Sequence, residues 1–199
     1  MKRTILIILI VINFISLYSQ EKQYGKEYIN FPDTSYVGKI NYIVHFLEDS
    51  AYYGREFPLF EGSTLTDSTF INKQLKNVVM YNFWFIQCSP CVYEIPILDS
   101  LAIEFSGKVD FIAITFNEKK EVFDFLKEHP FGFTQILMNS RKIESLDVTK
   151  GYPTTVITKD HKIIYWKSGG SSADTIYGKD VLNCYYNYLR QFLQNQINK

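Results

Sequence analysis

The 199-residue chain is poor in the residues that usually hold metals and prosthetic groups. It has three cysteines and three histidines, and His45, His129 and His161 stand apart from one another and from the cysteines. A structural zinc site needs about four ligands at paired spacing. Cys88 and Cys91 offer two, and no other paired ligands follow, so no metal is expected. Val92 stands where c-type haem attachment would need a histidine after the second cysteine. Net charge is lacking as well. The 21 basic and 21 acidic residues cancel, so no basic surface draws the chain to nucleic acid. Repeats and low-complexity tracts are absent, which excludes solenoids and disordered arrays. No apolar run reaches the roughly 20 residues of a spanning helix. The run from Ile5 to Tyr18 is interrupted by Asn13 and Ser16.

What is present describes a folded, exported domain. Hydrophobic residues make up 46% and aromatic residues 17%, enough for a substantial core. Lys2 and Arg3 precede the first apolar run and a polar stretch follows it, the layout of an export signal, cleaved or kept as an anchor. The expected organisation is a signal or membrane anchor over residues 1–19, an N-terminal extension over 20–54, and one domain over 55–199. The expected address is the periplasm or cell envelope, where disulfides persist.

Within the extension, "KINYIVHFLED" (39–49) alternates as a strand does. Residues 57–60 and 68–73 read as short strands around a turn. Residues 77–86 form a near-continuous apolar run, as in a strand buried on both faces. After Cys88 the spacing becomes helical, with Ile97, Leu98, Leu101, Ala102 and Phe105 on one stripe and Gly107 at the end. A strand (108–116), a helix (117–129, inner face Val122, Phe125, Leu126 and His129), a strand (133–138) and a short helix (141–147) follow. Two strands then turn at Lys159–His161, and a helix closes the chain. Alternating strands and helices imply an α/β fold, a central sheet with helices on both faces.

The stretch "NFWFIQCSPCVYEIP" (82–96) carries the chemistry. Residues three apart in a first helical turn face each other, about 5–6 Å apart at Cβ, close to disulfide geometry. Cys88 falls at the strand-to-helix junction. Unpaired N–H groups and the helix dipole there favour a thiolate, which makes Cys88 the better nucleophile and leaves Cys91, one turn inside, to resolve the product. Pro90 suits a first-turn position. Glu94 shares the stripe of Leu98 and Leu101. Its position leaves two readings open: a desolvated carboxyl that takes the Cys91 proton, or a solvated glutamate at the stripe's edge. Pro153 precedes a strand and follows Tyr152, and the residues alone favour the commoner trans peptide.

The combination N-F-W-x-x-x-C-x-P-C-x-x-E-x-P with G-x-P-T-T at 151–155 resembles the TlpA/ResA-like branch of the thioredoxin superfamily, exported or membrane-tethered bacterial thiol-disulfide oxidoreductases. The resemblance covers about residues 55–197. It implies a thioredoxin fold, a central mixed sheet flanked by helices, with an added N-terminal β-hairpin. It implies a redox-active Cys88–Cys91 disulfide and no further cofactor, with Cys88 attacking, Cys91 resolving and Glu94 as the family's helix glutamate. It places the family's cis-proline at Pro153, with Tyr152, Gln87 and Trp84 on the substrate surface. The partners it implies are protein thiols and disulfides, with a membrane dithiol as electron donor. The sequence departs from the family at Gln87, where most members carry Trp.

Rival functions fit less well. A thiol peroxidase of related fold would want Thr or Ser one turn ahead of the reactive cysteine and an Arg close by, and Phe85, Ile86 and Gln87 stand there instead. A four-residue structural clip would stabilise little. A non-catalytic thioredoxin-like binding module is the remaining alternative. Cys184, among Tyr185, Tyr186 and Tyr188, reads as an inert thiol, and His129 and His161 as structural. Uncharged Ser89 and Pro90, with Glu94 nearby, favour the disulfide over the thiolate and so predict a reductant.

Overall fold

The structure is a computed structural model that describes residues 50–75, 77–170 and 178–198. The expected signal, residues 1–19, and the expected strand at 39–49 lie outside the described residues.

Seven strands form one mixed sheet: β1 (Glu61–Thr64), β2 (Thr69–Ile71), β3 (Val78–Phe83), β4 (Asp110–Thr115), β5 (Thr134–Leu137), β6 (Thr154–Lys159) and β7 (Lys162–Ser168), in the order β2-β1-β5-β4-β3-β6-β7. The helices are α1 (Ser89–Glu104), α2 (Lys119–Glu128), α3 (Ser140–Ser145) and α4 (Gly178–Ile197). β3, β4 and β5 run parallel, and β6 lies antiparallel against β3. All six residues of β3 are buried, as its unbroken apolar run predicts.

Strand alternation sorts this burial into two cores. Val78 and Met80 of β3 join Leu98 and Leu101 of α1, Val122 of α2, and Leu189 and Phe192 of α4 on one face. Val79, Tyr81 and Phe83 join Ile143 of α3 and the aromatic segment Tyr52, Phe57 and Phe60 on the other. That second face is covered by the short helix α3 and by irregular chain. Tyr52 stacks on Trp166 at 4.2 Å between centroids, and Phe57 on Tyr81 at 4.2 Å.

Three boundaries differ from expectation for visible reasons. The first strand is 61–64, not 57–60. Phe57 and Phe60 both enter the core, so the segment does not alternate, and its polar groups go elsewhere: Phe57 N donates to His161 O, and Asn72 brackets Pro58 O and Phe60 N. His129 is not on the inner face of α2 but exposed at its C-cap, stacked on Phe125. The β6–β7 turn narrows to Asp160 and His161, both at positive φ (50° and 62°), the geometry of a two-residue hairpin.

Candidate functional site

β3 ends at Phe83, and the chain turns through Phe85–Gln87 into α1. Cys88 is the N-cap of that helix, extended at φ −83°, and Cys88 O accepts the first intrahelical bond from Val92 N at 3.0 Å. Cys88 Sγ accepts a hydrogen bond from the Cys91 backbone N–H at 3.3 Å. This is the place a serine or aspartate oxygen usually takes in capping a helix, here held by sulfur. The two cysteines form a disulfide with Cα atoms 5.2 Å apart. Cys91 keeps 1% of its surface, as its place one turn inside predicts, while Cys88 keeps 5% and is more hidden than an exposed attacking thiol.

The Tyr152–Pro153 peptide is cis, the isomer that the motif, and not the residues alone, implies. Pro153 O accepts from Gly169 N at 2.7 Å, which fastens the turn after β7 to this loop. Gly170 faces the site so closely that a Cβ there would stand 3.0 Å from Pro153 Cγ and 3.3 Å from Pro90 Cβ. A side chain there would press on both prolines and make one of them give by a few tenths of an ångström. On another side Phe85, Phe116 and Tyr152 pack together, with centroids 5.2 to 5.8 Å apart, and Phe116 is 37% exposed. Asn117 Oδ1 accepts from Ile86 N at 2.9 Å and so holds the loop after β4 to the loop before Cys88.

Glu94 decides between its two readings. It is 2% exposed, so it is not a solvated edge residue. Burial pushes its carboxyl up to about 7, while the Lys167 charge and a hydrogen bond from Asn82 pull the other way. Asn82 Nδ2 lies 3.0 Å from Glu94 Oε1 and 3.2 Å from Thr155 Oγ1. Asn82 and Thr155 stand inside the two motifs with no role assigned by them, and Lys167 carries no signal in the sequence. The expectation that Trp84 meets substrate is corrected. It is fully buried, packs on Phe125 and Phe131, and donates Nε1–H to Gln135 Oε1 at 3.2 Å. An indole in that position supports the loop and touches no incoming chain. Gln87 is exposed beside Cys88, lining an open groove with Ile86, Val92 and Tyr93. Cys184 is a half-buried free thiol on α4. Among the described residues no cluster of three or more potential ligands could hold a metal, and no helix is long and apolar enough to cross a membrane.

The AhpC/TSA family model matches residues 53–167, a span that includes Cys88, Cys91, Glu94 and Pro153 and ends just before the Gly169–Gly170 turn. The chain belongs to the AhpC/TSA family. It is 28% identical over 116 residues to the thioredoxin-like protein YneN of Bacillus subtilis, covering 56% of this chain and 68% of that one. A thiol:disulfide interchange protein from Bacteroides sp. superposes with a TM-score of 0.59 at 19% identity, over 71% of this chain and 90% of that one. A secreted Mycobacterium tuberculosis disulfide oxidoreductase, homologous to E. coli DsbE, superposes at 0.55 with 18% identity, over 68% and 95%. These structures establish the thioredoxin fold. In this AhpC/TSA chain the residue three before Cys88 is Phe85, and Arg55 and Arg190 are engaged by Asp147 and Glu104.

Proposed function

We propose that the chain is a TlpA/ResA-like thiol-disulfide oxidoreductase of the cell envelope, which reduces disulfides in protein substrates. The observation that carries this reading is the Cys88–Cys91 disulfide capping α1, with a helix N–H on the attacking sulfur and a buried carboxyl one turn beyond the resolving one. The names of the two structural neighbours agree with it, and one of those proteins is secreted.

In the reduced protein the Cys88 thiolate attacks a substrate disulfide. A Cys88–substrate S–S bond forms, and one substrate sulfur leaves as thiolate. Cys91 then loses its proton to the Glu94 carboxylate and attacks Cys88 Sγ. The Cys88–Cys91 bond re-forms, the second substrate sulfur leaves, and two electrons have passed to the substrate. Substrate backbone lies along Tyr152 and Pro153, with Gly170 leaving room and Gln87 at the rim. A membrane dithiol returns the protein to its reduced state. Ser89 and Pro90 add no positive charge beside the thiolate, so the dithiol is a reductant with a potential well below the roughly −120 mV of the strongest periplasmic oxidants.

Insulin reduction tests this. Wild type accelerates precipitation of the insulin chains, and Cys88→Ser is inactive. Equal rates with Cys88→Ser, or no rate in wild type, reduce the fold to a binding module.

A further inference from the structure

A polar row crosses the sheet beneath α1. Asn82 of β3 is the register partner of Thr155 of β6, and Thr155 is the partner of Lys167 of β7. Register partners on neighbouring strands share a face, here the face whose core contains Met80, Ile157 and Tyr165. Glu94 hangs from α1 onto this row and is tied to it by Asn82. Lys167 is half-buried beside this core, and a charge there needs partners. Lys167 has several: Nζ donates to Gly169 O and lies 4.8 Å from the centre of the Tyr185 ring on α4. Gly169 is also the residue whose N–H holds Pro153 O. One side chain thus touches the turn that abuts the site while its charge acts on Glu94.

We propose that Lys167 is a positioning residue, whose ammonium keeps the buried Glu94 carboxyl able to ionise when Cys91 must give up its proton. This rests on the oxidoreductase reading for its use, though not for its measurement. Burial alone holds a carboxyl protonated, and a protonated Glu94 cannot accept from Cys91. Asn82, which bonds Glu94, and Thr155, which bonds Asn82, carry no charge, and the cysteines are joined in the disulfide. Lys167, one strand beyond Thr155 on the same row, supplies a charge that favours the ionised carboxyl. When Cys91 S–H is cleaved, its proton goes to Glu94, its electron pair forms the Cys88–Cys91 bond, and the substrate sulfur leaves with the pair of the broken mixed disulfide.

The experiment is a carboxyl ¹³C titration of Glu94 in the oxidised full chain, which needs no substrate. Lys167→Met should raise the midpoint by about one pH unit. Lys167→Arg, which keeps the charge, should restore it. The acid limb of the rate of mixed-disulfide resolution should move up equally in Lys167→Met, a roughly tenfold loss of rate below that limb. Lys167→Gln serves the same test if the methionine variant does not fold. A Glu94 midpoint unmoved by removal of the charge overturns the inference. That result leaves the oxidoreductase reading standing, which falls instead if wild type fails to reduce insulin.

Discussion

Replacing Glu94 by Gln should make the oxidised protein more stable at alkaline pH than at acid pH, relative to wild type. The native carboxyl titrates at about 7 against 4.5 for the unperturbed group, because it is buried. The folded state therefore binds the proton more tightly than the unfolded chain does. The contribution of Glu94 is greatest below about 4.5 and is lost as pH rises through about 7. The gap of some 2.5 pKa units corresponds to about 3 kcal/mol, most of it lost between pH 5 and 8. With a urea slope of about 1–3 kcal/mol per molar, the wild-type midpoint should fall by roughly 1–3 M across that interval from this group alone. Glutamine keeps the shape and accepts from Asn82 but does not titrate. Urea unfolding at pH 5 and pH 8, for wild type and Glu94→Gln, isolates the term, since all other groups cancel in the difference. Parallel pH dependences in the two proteins would show that Glu94 pays no desolvation cost and would refute the reasoning.

Further outcomes follow from the same geometry. Gly170→Val should displace Pro153 or Pro90 and so raise KM for insulin strongly, because its side chain meets both; an unchanged KM removes Gly170 from the substrate path. Cys91→Ser, expressed in cells, should accumulate mixed disulfides through Cys88 that non-reducing gels resolve and Cys88→Ser abolishes. Leu98→Ala, at a fully buried position of α1, should cost about 2–5 kcal/mol in urea unfolding. Trp84→Phe should lower stability through the lost bond to Gln135 and the cavity, with little change in KM, since the ring is away from the surface.

The sequence makes the short-range part of this site legible and hides the long-range part. Cys88, Pro90, Cys91 and Glu94 lie within one strand-helix junction, so helical spacing alone puts the sulfurs together and sets Glu94 on the stripe of Leu98 and Leu101. The polar row is different. Thr155 lies 73 residues from Asn82 and meets it only because β6 pairs with β3. No periodicity reveals such a partner, and Asn82 itself is concealed in an apolar run. Trp84 at the substrate surface is what the family resemblance implies, and the residues cannot check it: a run buried on both faces does not alternate, so nothing in it says which rings reach the surface. The cis isomer at Pro153 contradicts the general preference and was carried by the motif. The segment at 57–60 has strand composition, but Pro58 and the paired burial of Phe57 and Phe60 give it another role.

The central claim is that the N-terminal N–H groups of α1 make the Cys88 sulfur a ready thiolate. Its most direct test is the rate of iodoacetamide alkylation of Cys88 in the reduced protein across pH, with Cys91 and Cys184 replaced by serine. Cys88 is predicted to reach half its maximal rate well below the pH of about 8.5 at which a free cysteine does. A profile matching that of a free cysteine would contradict the account.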